Sequence, residues 1–308
     1  MAEIVKNSST PASSSSASTS PFSAPSGAGS GSLPPARSEL SRRVSTALMG
    51  VAVFLVVLLF GGNFGSSLIA CVLSLAMMHE FVTMTFSLAD RVEKQWALLG
   101  VVWLIEFFNY WSPQSSYGLL LTSFLGVFTY FLFTVSRHTG EAYATHFKEL
   151  MFSIFGLIYV VFLPLFFPLL RSEPNGLSWV MTFLIIVWAS DIGAYFAGKK
   201  WGRRKLFEAV SPKKTWEGSV GGLVCSWAAV LIFKLLIFKE LTWGSVFCVT
   251  LVISVSAQVG DLCESFLKRA FHIKDSGSFL PGHGGFLDRF DGVVFALPVM
   301  YLCARVFS

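Results

Sequence analysis

Charged residues are scarce in this chain. Asp, Glu, Lys and Arg together make up 13% of its 308 residues, whereas hydrophobic residues make up 54%. Together with a mean hydropathy of +0.65, this composition excludes an ordinary soluble domain and predicts an integral membrane protein. It also excludes a nucleic-acid-binding protein, because no soluble basic domain is present to carry the formal net charge of +5.

Cysteine is also scarce, and the common nucleotide-binding motifs are missing. The five cysteines contain no CxxC pair and lie in or beside apolar runs, so we expect reduced packing residues rather than disulfides or zinc ligands. The sequence has no GxxxxGK(S/T) P-loop, no GxGxxG fingerprint and no GxSxG nucleophile elbow. Any nucleotide must therefore be held by a less common scaffold.

Long apolar runs dominate the rest of the chain. They are continuously apolar rather than alternating, which excludes a closed β-barrel, and each approaches the length of about 20 residues that a membrane-spanning helix needs. We therefore predict an all-α, polytopic integral membrane protein with about nine transmembrane helices. From the distribution of Lys and Arg along the chain, we expect its active site at the cytoplasmic face. The predicted spans are roughly 44–61, 64–82, 95–111, 117–135, 152–170, 177–198, 218–237, 243–260 and 286–306.

The beginning of the chain differs from the rest. Residues 1–43 are rich in Ser, Pro and Gly and have few large hydrophobic side chains, so they predict a disordered tail. An organellar transit peptide is the alternative, because the segment is rich in Ser and poor in acidic residues. Two membrane regions follow, the N-terminal spans at 44–184 and a C-terminal catalytic region at 185–308.

Lysine and arginine are concentrated in alternate loops. The loops at 199–217 and 261–291 are the most basic, and both fall on the N-terminal side of the predicted spans. The positive-inside rule places this side in the cytoplasm, where it faces anionic lipid and nucleotide. We expect a bacterial cytoplasmic (inner) membrane, with a plastid envelope as the alternative, and leave homodimerisation open.

The chain between the last two apolar runs concentrates charge, and ionisable groups near membrane depth usually mark a working site. Asp261, Glu264, Ser265 and Lys268 recur at helical spacing. They therefore share one face of a helix predicted over residues 246–271. The alternative is a solvated helix end, in which Glu264 and Lys268 form an ordinary ion pair.

A glycine-rich loop, Pro281-Gly282-His283-Gly284-Gly285, precedes the last predicted helix. A helix that starts after such a loop presents free N–H groups to anions. Asp288 and Asp291 follow in its first turn, and with Asp261 they can share one metal site. Oxygen ligands without clustered His or Cys favour Mg²⁺. His283 is interpreted as a loop residue or as a hydrogen-bond donor to phosphate.

Further polar residues lie upstream of this region. Lys213 and Lys214 follow a proline just before Thr215 and Glu217 enter the next helix. Ordinary anchoring at the basic membrane surface accounts for lysines in such a loop. It accounts less well for a turn that contains a proline and is followed by Thr215 and Glu217. Asp191 interrupts an apolar span, where a lone carboxylate is costly enough to favour a function. Structural helix–helix hydrogen bonding is the preferred interpretation of Glu80, Glu106 and Asn109.

Together these residues are similar to the signature of the CDP-diacylglycerol synthase (phosphatidate cytidylyltransferase) family. The resemblance covers most of residues 185–292, in the right order and with no departure at the signature positions. The matching motifs are Asp191-x-Gly193-Ala194-Tyr195-Phe196-x-Gly198, Ser211-Pro-Lys-Lys-Thr-x-Glu217-Gly218, Gly260-Asp261-x-x-Glu264-Ser265, Ser265-x-x-Lys268-Arg269, Lys274-Asp275-x-Gly277 and Pro281-Gly282-His283-Gly284-Gly285-x-x-Asp288-Arg289-x-Asp291.

The resemblance implies conversion of CTP and phosphatidate into CDP-diacylglycerol and pyrophosphate with one or two Mg²⁺ ions, and it leaves a further monovalent ion open. It implies that Asp261 and Asp288 hold the metal, with Asp291 in support. The implied catalytic residues are Lys213, Lys214, Asp261, Ser265, Lys268, Arg269 and Asp288. The implied substrate-binding residues are Asp191, Thr215, Glu217, His283, Gly284, Gly285 and Arg289.

Two other functions are considered beside this one. A CTP-dependent kinase of dolichol or another polyprenol resembles the family in the charged region, but it would transfer the γ-phosphoryl group and would need a group to deprotonate an alcohol. A cation or lipid transporter would have discontinuous spans, mid-membrane ion ligands and pseudo-repeats. Here the charges gather at one face and no repeat is visible, so the complete motifs favour the synthase.

Overall fold

The computed structural model describes residues 49–86, 91–135, 142–277 and 284–307. The predicted tail at 1–43 and His283 therefore lie outside the described residues. The helices are α1 (Met49–Phe60), α2 (Gly62–Thr85), α3 (Arg91–Trp111), α4 (Pro113–Thr134), α5 (Ala142–Gly156), α6 (Phe166–Ser172), α7 (Gly176–Trp201), α8 (Trp216–Leu236), α9 (Trp243–Ala270) and α10 (Leu287–Phe307).

Seven helical segments of the described chain are long and apolar enough to cross a membrane, which confirms the all-α polytopic class. One of them, Tyr143–Ser172, combines α5, a π-helical turn at Leu157–Phe162 and α6. Within the described ranges α1 is shorter than a span, and α3, which carries Lys94 and Glu106, is not among the seven. The count of nine spans therefore stays a prediction.

A short β-hairpin follows α7, where the sequence analysis predicts only a loop. Strands β1 (Lys205–Phe207) and β2 (Ser211–Thr215) are antiparallel, with Lys205 opposite Thr215. The Lys205 ammonium donates a hydrogen bond of 2.5 Å to the Pro212 carbonyl oxygen. Because β2 ends directly before α8, the hairpin positions Lys213 and Lys214 just before the start of that helix.

Threonines begin the two helices that follow the hairpin. Thr215 Oγ1 accepts a hydrogen bond of 3.1 Å from the Gly218 N–H at the start of α8, and Thr242 Oγ1 accepts one of 3.1 Å from the Ser245 N–H at the start of α9. Each satisfies a donor that the first helical turn leaves without an intrahelical partner. The uninterrupted course of α9 confirms the helix predicted over 246–271.

Small residues bring neighbouring helices into close backbone contact. A Cβ added at Gly193 of α7 would lie 2.5 Å from the Cβ of Cys225 and 2.7 Å from the Gly221 carbonyl oxygen, both on α8. A Cβ added at Gly260 of α9 would lie 2.8 Å from the Asp291 carbonyl oxygen of α10. Transmembrane helices use such contacts because lipid provides no hydrophobic driving force between them.

Two clusters of buried apolar side chains hold the bundle together, and α10 contributes to both. In one cluster Val293 lies with Val249 of α9. In the other cluster Leu287 and Val294 lie with Phe81 of α2. Helix α10 therefore joins the N-terminal helices to the C-terminal ones, and its first turn lies at their junction.

We expect Gly193→Ala to destabilise the protein, because the added methyl group would overlap Cys225 and the backbone of α8. Overpacking of this kind costs about 1–3 kcal/mol. Gly100→Ala on α3 is the matched control, since a Cβ there meets nothing within 4 Å and alanine is favoured over glycine inside a helix. Thermal unfolding in detergent compares the two variants. An unchanged melting temperature for Gly193→Ala would contradict the close packing of α7 and α8.

Candidate active site

The end of α9, the start of α10 and the junction between β2 and α8 meet at one end of the bundle. Two groups of charged side chains connect them. We call Lys214 and Asp261 the Lys214 pair, which joins β2 to α9. We call Lys268, Glu264 and Asp288 the Lys268 cluster, which joins α9 to α10. All five residues come from the charged motifs of the sequence.

The Lys268 cluster is largely enclosed. Lys268 Nζ lies 2.5 Å from Glu264 Oε2 and 2.7 Å from Asp288 Oδ1, and the side chains of Lys268, Glu264 and Asp288 are 14%, 0% and 12% exposed. The ordinary Glu264–Lys268 pair considered above is therefore present, but Asp288 extends it to a second helix. One ammonium group thereby holds the carboxylates of α9 and α10 together.

Asp288 also organises the loop before α10. Its Oδ2 atom accepts hydrogen bonds from the Ser276 N–H at 2.9 Å and the Gly285 N–H at 3.1 Å. Gly284 has φ of +83°, a conformation that glycine adopts without the strain caused by a side chain. Both described ends of the loop are thus tied to the carboxylate that also binds Lys268.

Glu80 of α2 binds the same loop, although it is not one of the predicted site residues. Its carboxylate accepts hydrogen bonds of 2.9 Å from both the Phe286 and the Leu287 N–H groups and one of 3.1 Å from Ser276 Oγ. These N–H groups lie at the start of α10, where donors are unpaired and negative charge is favoured. A Cβ added at Gly277 would lie 2.7 Å from Glu80 Oε1, so the Glu80 carboxylate packs directly against the backbone of the loop.

The interpretation of Glu80 as a helix–helix hydrogen-bonding residue is confirmed, because the Leu287 N–H belongs to α10, and the same interpretation of Glu106 is confirmed too. Ser74 Oγ of α2 donates a hydrogen bond of 2.8 Å to Glu106 Oε1 of α3. Both acids interrupt apolar runs, and that is the signal the sequence offers. It does not distinguish them, because the partners of Glu80 lie about 200 residues away along the chain.

The Lys214 pair is more open than the Lys268 cluster. Lys214 Nζ lies 2.5 Å from Asp261 Oδ2, and the two side chains are 25% and 40% exposed. Ser265 Oγ donates a long hydrogen bond of 3.4 Å to Asp261 Oδ1. Since Lys214 enters from the hairpin and Asp261 from α9, an anion that displaces the carboxylate from Lys214 would meet an accessible ammonium group.

Two further carboxylates lie in the field of this pair. The negative charge of Asp261 acts on both Asp191 of α7 and Asp291 of α10, and the positive charge of Lys214 opposes it at both. Asp291 Oδ1 also accepts a hydrogen bond of 2.7 Å from the Gly292 N–H. The structure thus brings Asp191 of α7, Asp261 of α9 and Asp291 of α10 into one region near Lys214, and Asp291 also lies in the field of Lys268.

Several predicted site residues make contacts that hold local structure. Thr215 caps α8, Glu217 accepts hydrogen bonds of 3.0 and 3.2 Å from the Arg203 and Arg204 N–H groups, and Arg269 Nε donates one of 3.4 Å to the Val210 carbonyl oxygen. The side chains of Lys213, Arg269 and Arg289 are exposed. Roles for these residues in substrate binding stay predictions.

The acidic side chains of the site are oxygen donors, the type of ligand that Mg²⁺ prefers. Among the described residues no group of three His, Cys, Asp or Glu side chains is close enough to hold a metal ion. Mg²⁺ does not need one, because it commonly binds through one or two carboxylates together with substrate phosphates and water. Asp261 and Asp291 provide carboxylate oxygens that lie in each other's electrostatic field. The residues fit a magnesium site that substrate completes.

Known proteins similar to this chain match it over most of its length. The model of the cytidylyltransferase family matches residues 41–307. A phosphatidate cytidylyltransferase of Bacillus subtilis is 32% identical over 88% of this chain and 99% of its own length. Those of Brucella suis and Staphylococcus haemolyticus are 34% and 32% identical over 88% and 84% of this chain, which corresponds to 95% and 96% of their own lengths.

We expect Glu80→Ala to loosen the start of α10, because it leaves three donors without their acceptor. A buried donor that loses its partner costs about 1–3 kcal/mol, so the loss should exceed that of Glu106→Ala, which removes an acceptor from Ser74. Thermal unfolding in detergent measures the loss, and hydrogen exchange at Phe286 and Leu287 locates it. Equal unfolding losses in the two variants, with unchanged exchange at these amides, would contradict the contact.

Proposed function

The chain belongs to the cytidylyltransferase family, and on that basis we propose that it is a phosphatidate cytidylyltransferase. It transfers the cytidylyl group of CTP to phosphatidate, which forms CDP-diacylglycerol and releases pyrophosphate. The proposal is supported by the names of its relatives and by seven apolar helices that keep the protein in the same bilayer as a lipid substrate.

The observation that carries the proposal is the presence of two separate ammonium groups at one end of the bundle. The Lys214 pair and the Lys268 cluster lie on different elements, and each holds its lysine against carboxylate. Two phosphate-bearing substrates repel each other and need cationic groups for both. A kinase acting on an uncharged alcohol would need such groups for the nucleotide alone.

The reaction requires charge stabilisation and positioning more than proton transfer. The phosphate of phosphatidate is already an anionic nucleophile, so no general base is needed to activate it. It attacks the α-phosphorus of CTP while the bond to the leaving pyrophosphate breaks, and negative charge accumulates on the oxygens around the α-phosphorus and on the leaving group. Preorganised cations and N–H donors lower the barrier of such a step most effectively.

We propose the following roles, which the positions of the side chains support. Lys214, with Lys213 beside it, binds the phosphates of CTP at the more open pair, and Lys268 and Arg269 bind a second phosphate. Asp261 and Asp288, with Asp291, would hold Mg²⁺, and Ser265 would support Asp261 through its hydrogen bond. Bound Mg²⁺ supplies Lewis-acid stabilisation of the phosphoryl oxygens. The backbone at Gly284 and Gly285 lets phosphate approach the start of α10 closely.

The purified protein should convert CTP labelled in its α-phosphate, together with phosphatidate, into labelled CDP-lipid with stoichiometric release of pyrophosphate. A polyprenol in place of phosphatidate should release no CDP. Thin-layer chromatography and a pyrophosphate assay separate the two outcomes. Formation of CDP and a phosphorylated alcohol, without pyrophosphate, would show that the protein is a kinase and not a synthase.

Variants of the proposed metal ligands serve as controls in the same assay. Asp261→Asn and Asp288→Asn should each lose more than tenfold in turnover, which equals about 1.4 kcal/mol of barrier, because an amide is a poor Mg²⁺ ligand. Chelation of divalent cations should abolish turnover of the unaltered protein. Glu208→Gln, an exposed neutralisation in the hairpin region, should retain it. A ligand variant with activity close to that of Glu208→Gln would remove that residue from the metal site.

We further propose that the site faces the cytoplasm of a bacterial cell from its inner membrane. The support is the concentration of Lys and Arg in the loops at 199–217 and 261–291, together with the bacterial origin of the relatives. In this arrangement the hairpin before α8 lies inside, and the connection between α8 and α9 lies outside.

Single-cysteine labelling tests this orientation at one position before α8 and one after it. In a background without the native cysteines, Lys239→Cys should react with an impermeant maleimide applied to intact cells. Lys205→Cys should react only after the cells are permeabilised. Both positions are exposed to solvent, which makes them a matched pair. The reverse labelling pattern would place the site outside.

A further inference from the structure

A groove of about 860 Å³ runs between α7 and α8, and none of the roles assigned above uses it. Its walls are apolar, with Phe196 and Ala197 on α7 and Val220, Val224 and Ala228 on α8. Both helices are among the predicted membrane spans. The groove therefore opens within the apolar part of the bundle, where a hydrocarbon chain is the natural occupant.

The length of the groove fits a lipid chain. From Trp216 to Ala228 the lining extends over twelve helical steps, or about 18 Å at 1.5 Å per residue. This is more than half of a hydrocarbon core of about 30 Å. Trp201 and Trp216, which are 60% and 56% exposed, stand at the hairpin end, and tryptophan favours the boundary between lipid and water. The groove thus begins at the membrane surface and continues inward.

The entrance of the groove is cationic. Arg203 and Arg204 belong to its lining, and the Glu217 carboxylate holds the backbone of both through hydrogen bonds of 3.0 and 3.2 Å. Their side chains are exposed. A surface with guanidinium groups at one end and only apolar walls beyond them matches a molecule with an anionic head and a hydrocarbon tail.

The entrance also lies beside the proposed reaction site. Trp216 follows Lys214 by two residues, so their Cα atoms are separated by less than about 8 Å. On the other wall Trp201 directly precedes Gly202, where an added Cβ would lie 2.9 Å from Oγ1 of Thr215, the residue that follows Lys214. A lipid in the groove would therefore have its head group next to the Lys214 pair.

We propose that this groove binds an acyl chain of phosphatidate during the reaction, with the arginines at its entrance guiding the phosphate of this lipid toward the CTP bound at the Lys214 pair. The proposal rests on the proposed function and names the place where its lipid substrate is held. The occupant is a lipid rather than a second copy of the chain, because the cationic groups lie at one end of the groove and thus complement an anionic head group followed by an apolar tail.

A substitution that fills the groove tests the proposal. Val224 is 55% exposed and lines the groove, so Val224→Trp adds volume there without burying a new side chain. Val72→Trp on α2 is the matched control, because this valine is 50% exposed and lies away from the groove. Steady-state kinetics use dioleoyl phosphatidate, whose chains are long, and dihexanoyl phosphatidate, whose chains are too short to reach Val224.

Val224→Trp should raise the KM for dioleoyl phosphatidate about tenfold, a loss of ground-state binding. It should leave the KM for CTP and the kinetics with dihexanoyl phosphatidate unchanged. Val72→Trp should change none of these constants. Equal effects on both lipids, or no effect on either, would overturn the proposal. A change of oligomeric state in Val224→Trp with unaltered lipid kinetics would instead assign the groove to a second copy, and would also overturn it.

Photolabelling separates a failure of this proposal from a failure of the proposed function. Phosphatidate that carries a diazirine near the end of one chain should label residues 193–228 of the unaltered protein, and excess phosphatidate should suppress the label. Photolabelling needs no turnover, so it still tests whether the groove binds lipid if the protein forms no CDP-lipid. Labelling confined to other helices would contradict lipid binding in the groove even if the protein is an active synthase.

Discussion

A charged group at the end of an apolar bundle is stable only when an opposite charge or a hydrogen-bond donor accompanies it, and the site follows from this constraint. Lys268 satisfies this requirement for two helices at once, because its ammonium group lies against the carboxylates of Glu264 on α9 and Asp288 on α10. Removing the lysine would leave two enclosed carboxylates facing each other. The pairing that makes the charges tolerable therefore also sets the positions of the two helices that carry the proposed metal ligands.

Glu80 extends the same principle across the molecule. It lies in an N-terminal span, yet its carboxylate accepts the free N–H groups at the start of α10, where a helix favours negative charge. The loop before α10 is thus held by Glu80 through Ser276 Oγ and by Asp288 through the Ser276 N–H. The N-terminal spans support the site in this way without supplying its phosphate-binding lysines.

The close approach of α7 and α8 has two consequences. Contact at Gly193 and Gly221 holds α7 against α8, and Asp191 of α7 lies in the field of Lys214. The same small residues leave little side-chain volume along the outer surface of the helix pair, so an apolar groove runs away from the entrance marked by Arg203 and Arg204. A polar site for phosphate and an apolar site for a chain thereby share one helix pair, as an enzyme acting on lipid requires.

Local features of the sequence were sufficient to predict the all-α membrane class and the long helix that contains Asp261 and Lys268. They were also sufficient to identify the charged motifs of the candidate site. Hydropathy and helical spacing involve residues close together along the chain, so they can be read directly. The tertiary structure alone decided that Lys214 pairs with Asp261, that Asp288 completes the Lys268 cluster, and that Glu80 binds the loop before α10. These contacts join residues far apart in sequence, and nothing in the local pattern around either partner specifies the other.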